Sequence, residues 1–173
     1  MAEQGRETEF AEFAESRADW LRRVAYLLCS DWHRADDLVQ ETLTKLYVHW
    51  PRMRRVDNPD GYARTVLVNT FLAEQRSPWQ RWRARQPERT GTESAAPPAD
   101  PESALDLRRA LAALPPRQRA TLVLRYYHDL TVEQTADALG CSSGNVKSQT
   151  SRGLQTLRRL LGTRSITPAG RTL

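Results

Sequence analysis

The chain is poor in cysteine, histidine and lysine, and each shortage excludes something. Its two cysteines, Cys29 and Cys141, are far apart with no paired spacing, so neither a disulfide framework nor a zinc ligand set is expected. Cys29 and His33 are four apart, but a helix should end between them and no second ligand pair is near, so no metal or other cofactor is expected. His33, His49 and His128 have no Ser/Asp constellation beside them, and no stretch alternates as strands do. A strand-rich enzyme such as a serine recombinase is therefore not expected, nor any catalytic residue. No apolar run approaches membrane-spanning length, and an N-terminus carrying Glu3, Glu7 and Glu9 is unlike a signal peptide, which points to the cytoplasm and away from a membrane.

What the chain has is arginine. Lys45 and Lys147 are its only lysines among 26 basic residues, and arginine grips phosphate and guanine bidentately. The same richness in arginine, with alanine and proline, also fits a GC-rich genome. The net charge of +5 favours an anionic partner only weakly, but its distribution says more. Basic residues dominate 49–89 and 115–173, while acidic ones dominate 1–48 and 90–114, so two separate stretches could meet nucleic acid. A hydrophobic content of 39% supports modest cores, best divided between two compact helical units.

The most legible stretch is Leu130–Leu161. Thr131 with Gln134 three residues on forms a capping box that opens one helix, and Gly140 can take the left-handed conformation that closes it. Ser142 then caps a second helix, along which Val146, Leu154, Leu157, Leu160 and Leu161 recur at near-helical spacing. With Val132, Ala136 and Leu139 packed on Val146, the front of the second helix is left with Asn145, Lys147, Ser148, Ser151 and Arg152. Such a polar, cationic front near a helix N-terminus suits base edges and phosphates in a major groove, although a solvated helical hairpin has the same pattern. Pro115 and Pro116 start a preceding helix, and with Ala104–Ala113 before them the module has four helices.

In the N-terminal half the periodicity predicts a helix from about Glu7 to Cys29 and a second from Trp32 to about Trp50, where Pro51 ends it. The face of the second helix opposite its apolar stripe holds Asp37, Gln40, Glu41, Thr44 and Lys45, which could be plain solvation. Residues 52–58 are expected as a loop rich in arginine, and Asn58-Pro59 turns into a third helix reaching about Arg76. That helix is apolar round much of its circumference, with Asn69 on the face of Tyr62, Val66 and Arg76, where a buried, satisfied asparagine is the plain expectation. Beyond it Arg76, Trp79, Arg81 and Trp82 alternate cations with indoles, a composition suited to phosphates and unpaired bases.

Two segments carry a family resemblance. Leu114–Leu160, with its Leu-Pro-x-x-x-Arg leader, Leu124-Arg125-Tyr126 core and Gly144-Asn145-Val146-Lys147-Ser148 helix start, resembles region four of extracytoplasmic-function (ECF) bacterial sigma factors. Arg34–Thr42, with Asp37-Leu38-Val39-Gln40-Glu41, and Tyr62 through Val68-Asn69-Thr70 resemble region two of the same family, most of all its short actinobacterial SigE-type members. The resemblance implies an all-α fold of two small helical domains, 6–84 and 104–161, with a linker at 85–103 and a tail at 162–173. It implies a non-enzymatic subunit that binds core RNA polymerase, through the β′ clamp helices and β flap, and promoter DNA; it leaves an anti-sigma factor open as a further partner. Asp37, Gln40, Glu41 and Lys45 would face the polymerase. Arg54, Arg55, Asn58, Asn69, Arg76 and Trp79 would hold the melted −10 strand, and Ser143, Asn145, Lys147, Ser148, Ser151 and Arg152 the −35 duplex.

Some residues depart from the family pattern. No helix is expected before the Phe10 stripe, Thr135 and Thr150 stand where larger aliphatics are usual, Asn145 replaces a threonine, and Gly153 should weaken its helix by about 1 kcal/mol relative to alanine. The alternative is a stand-alone LuxR-type helix-turn-helix regulator, which predicts a dimer on a palindromic site.

Overall fold

The computed structural model describes residues 2–78 and 101–162, and every regular element among them is helical. Three long helices come first: α1 (Ala2–Cys29), α2 (Trp32–Met53) and α3 (Pro59–Arg76). Four shorter ones follow: α4 (Pro101–Ala112), α5 (Pro116–Leu122) running into a π-helical turn (Val123–Tyr127), α6 (Val132–Leu139) and α7 (Ser143–Leu161). The all-α fold class read from periodicity is what forms. The linker expected at 85–103 falls largely outside the described residues, but its last part does not: α4 already starts at Pro101, a residue suited to the first helical position.

Leu21, Val24 and Leu28 of α1, Leu38 and Leu46 of α2, and Leu67 and Val68 of α3 are fully buried, so the three apolar stripes meet as one core. Two boundaries differ from expectation. α1 is already helical at Ala2, ahead of the Phe10 stripe, and Arg6 in this added stretch reaches across to α2, its guanidinium 5.2 Å from the centre of the Tyr47 ring. α2 does not stop at Pro51 but runs on to Met53. Proline removes a single donor near the helix end, where the Arg54 N–H still bonds the Trp50 carbonyl at 3.0 Å and the fully buried Met53 holds the last turn down. Arg52 is therefore helical, and the arginine-bearing loop begins only at Arg54.

The helix-turn-helix forms as its caps dictate. The Thr131 N–H donates to Gln134 Oε1 at 2.9 Å, and the Gln134 N–H donates to Thr131 Oγ1 at 3.1 Å. Gly140 closes α6 at φ 60°, and the Ser142 hydroxyl caps α7 by accepting from the Asn145 N–H at 3.1 Å. Gly153 has a reason that helix propensity hides: a Cβ built there would sit 3.0 Å from Leu122 Cδ1. α5 and α7 approach closely here, so alanine's propensity gain of about 1 kcal/mol would be set against a tight contact that the Leu122 side chain must shift by a few tenths of an ångström to relieve.

The two halves do not keep separate cores. Leu21, Leu67 and Phe71 belong to the same buried cluster as Ala120, Val123, Leu124, Leu130, Ala138 and Leu139. Among the described residues, a smaller buried cluster of Ala110, Leu114, Leu122 and Leu157 is private to the second half. α1 and α3 thus pack on α5, the π turn and α6, as expected of a third helix that is apolar nearly all round.

Candidate nucleic-acid and protein interfaces

On α7, Asn145, Lys147, Ser151 and Arg152 are exposed and Ser143 and Ser148 half-buried. Val146 and Leu157, on the other side, are buried, so the amphipathic split leaves a polar front free of apolar competitors. Lys147 and Ser151, and Ser148 and Arg152, are each four apart and lie one above the other. Beside them runs a groove of about 330 Å³ that adds two cations to the set, Arg125 from the π turn and Arg158 further along α7. Arg125 is partly committed, donating to the Leu130 carbonyl.

The residues expected on the melted strand are scattered. Arg54 is paired with Glu9 of α1 at 3.1 Å, and Arg55 is exposed. Asn58 caps α3, its Oδ1 accepting from the Gly61 N–H at 2.8 Å, which makes it first a structural residue. Arg76 is exposed in the last turn of α3, roughly 27 Å along the helix from Asn58 at 1.5 Å per residue. Asn69, between them, is neither buried nor free: its Nδ2 donates to the Ala138 carbonyl of α6 at 2.9 Å. Trp79 lies outside the described residues.

On α2, Asp37 and Gln40 are exposed and Glu41 is half-buried. Lys45 turns inward, 2.9 Å from Glu41 and donating to Thr70 Oγ1 of α3 at 3.1 Å. An outward patch of Asp37, Gln40 and half-buried Glu41 therefore sits on α2, with the neighbouring Lys45 already paired.

Family models decide what these surfaces belong to. The sigma-70 region 2 model matches residues 13–83 and the sigma-70 region 4 model residues 104–157. The RNA polymerase sigma-E factor of Streptomyces coelicolor is 36% identical, covering 94% of this chain and 91% of that protein. The ECF RNA polymerase sigma factor SigL of Mycobacterium tuberculosis is 31% identical, covering 85% of each. The chain belongs to the ECF sigma factors. Among solved structures, the sigma factor RpoE in complex with the anti-sigma factor NepR from Bartonella quintana superposes with a TM-score of 0.71 at 26% identity, over 91% of this chain and 99% of that one. A sigma factor is not an enzyme; it works by binding core RNA polymerase and promoter DNA.

Three groups in this sigma factor escaped the sequence reading. Arg119, noticed only as part of the leader, is buried and donates to the carbonyls of Ala112 at 2.6 Å and Leu114 at 3.0 Å, and also to that of Leu28 in α1. His128 lies edge-on to Trp20 of α1 at 5.8 Å, and burial together with nearby Arg64 lowers its pKa to about 4, so it enters the contact as a neutral ring. Glu74 of α3 backs the acidic patch. Burial first, then the charge of Glu41 and a hydrogen bond with it, push Glu74 up from 4.5 to about 7. Between those values the folded chain keeps a proton that the unfolded chain has released, so this group's contribution to stability is lost as pH rises from about 4.5 through about 7. Denaturation midpoints measured from pH 5 to 8 should fall over that window in wild type and fall less in Glu74→Gln; an equal slope in both would remove Glu74 as the cause.

Proposed function

We propose that this sigma factor reads −35 duplex through the front of α7, with Ser143, Asn145, Lys147, Ser148, Ser151 and Arg152 on base edges and phosphates. The melted −10 strand is held by the 54–58 loop and α3, through Arg54, Arg55, Asn58, Asn69 and Arg76, continuing to Trp79. Asp37, Gln40 and Glu41 meet the basic surface of the β′ clamp helices, while Lys45 positions Glu41; the β flap meets the second domain. The two domains run over 6–84 and, with the start of α4 at Pro101 included, 101–161; the linker of 85–103 is thereby shortened to end before Pro101, and a tail follows at 162–173. The observation that carries this reading is the capped helix-turn-helix whose exposed helix front is polar and cationic, on a chain that separately presents an acidic patch.

The protein acts in the cytoplasm, where polymerase and DNA are; no described helix is long and apolar enough to cross a membrane. Because the RpoE structure contains NepR, an anti-sigma factor is proposed as a further partner of this chain. Nuclease footprinting on a promoter fragment tests the assignment. Core polymerase with this chain should protect two segments centred about 25 base pairs apart, and the chain alone should protect neither strongly. A stand-alone regulator would instead protect one palindromic site without polymerase.

A further inference from the structure

We propose, resting on the −35 reading above, that Asn145 specifies one base of the −35 element, its amide paired with the major-groove edge of an adenine. The other side chains of the α7 front hold the helix on the duplex without setting that position.

The two helices of the helix-turn-helix start alike but use their third residue differently. α6 opens on Thr131 and carries Gln134 at its third position, where the amide is spent: its Oε1 accepts from the Thr131 N–H at 2.9 Å. α7 opens on Ser142, and the Asn145 N–H donates to the Ser142 hydroxyl at 3.1 Å in the same way. Asparagine is one methylene shorter than glutamine, and the return bond to the N-cap backbone is not made. The amide of Asn145 is exposed and has no partner among the described residues. Gly144 beside it keeps an ordinary φ, and a Cβ there would meet only the Ser142 hydroxyl oxygen at 3.9 Å, so the fold does not call for glycine. A bare position next to a short amide lets the helix start come close to a base edge.

The chemistry picks the base. A primary amide offers an acceptor and a donor side by side. On the major-groove edges guanine shows two acceptors, cytosine a donor, thymine an acceptor beside a methyl, and only adenine an acceptor next to a donor. Asn145 is thus complementary to adenine through two hydrogen bonds, which the threonine of the family pattern cannot span with its single hydroxyl. Position separates this contact from its neighbours. Arg152 lies seven residues on, along the same strip of α7 with half-buried Ser148 between, about 10 Å up the axis or roughly three base steps. Lys147 stands on the other flank, where it lines a groove with Arg125 and Arg158, three side chains that only donate and so suit phosphate oxygens.

The test is a competition binding assay on holoenzyme assembled from core polymerase and the full chain. The probe is a transcribed promoter whose −35 base pairs are changed, one at a time, to each of the other three. Wild type should prefer A·T over the other pairs at one position by about 5- to 150-fold, the range of a bidentate contact. Asn145→Ala should flatten that position and leave the others as they were. The variant keeps its cap, because Ser142 accepts from the backbone N–H, so circular dichroism and melting temperature should hardly change. Placing 7-deazaadenine, which lacks the N7 acceptor, at that position should weaken wild-type binding by about tenfold and leave Asn145→Ala unaffected. A loss shared equally by all sequences, a lost preference for a base other than adenine, or an adenine preference that survives Asn145→Ala overturns the proposal. In each of these cases the −35 reading stands if Lys147→Ala or Arg152→Ala still weakens the element. That reading falls together with the proposal if none of the three substitutions changes binding to any −35 variant.

Discussion

Asp37→Arg with Gln40→Arg should abolish association with core RNA polymerase while leaving the circular dichroism spectrum and melting temperature nearly unchanged. Both side chains are exposed on α2 and three residues apart, so they share the face opposite buried Leu38, Leu46 and Trp50. Nothing in the fold leans on them, and surface changes of this kind usually stay within about 0.5 kcal/mol. Against a basic partner surface the same two charges meet like charge, at a cost of several kcal/mol, and about 2.8 kcal/mol is already a hundredfold in affinity. Glu41 is a poorer choice for this experiment: it holds Lys45 and is hydrogen-bonded to Glu74, so reversing it would mix a folding effect with a binding one. Size-exclusion co-elution with core polymerase gives the readout, and a folded double mutant that still co-elutes would move the polymerase contact elsewhere.

Removing Arg152 or Lys147 should act at the opposite end of the promoter. Each alanine substitution is expected to cost about 1–3 kcal/mol in upstream-element recognition where the side chain grips a base bidentately, and less where it holds only phosphate. Both residues are exposed, so stability should hardly change. Templates already opened at −10 should be affected less than closed duplex, because they rely less on the upstream contact. For a phosphate contact the loss should be uniform across −35 sequences, with a shallower salt dependence; for a base contact it should fall on one position of the element. Equal loss on both template types would mean that these side chains serve general charge rather than the −35 duplex.

How much of this the sequence disclosed depended on range. The helix-turn-helix was legible to the residue because its determinants are local: the Thr131 and Gln134 cap, Gly140 at φ 60° and the Ser142 cap all act within three or four positions. The polar fronts of α2 and α7 followed from the same periodicity. Asn58 was within reach too, since an asparagine directly before a proline at the first helical position is an N-cap signal, a structural role that stands beside the base contact the resemblance implies. What periodicity cannot carry is contact between distant segments. Nothing near Asn69 in the chain announces Ala138, nothing near Arg119 announces Leu28, and Gly153 looked like a helix defect until Leu122 was found against it. Pro51 misled for a related reason, because the burial of Met53 outweighed one lost hydrogen bond.

The central claim is that this chain gives core polymerase its promoter specificity, and multi-template run-off transcription tests it most directly. Purified core enzyme should give no specific transcript from a genomic promoter library on its own, and discrete transcripts sharing −35 and −10 elements once this chain is added. Transcripts that are the same with and without the chain, or specific promoter binding by the chain that needs no polymerase, would contradict it.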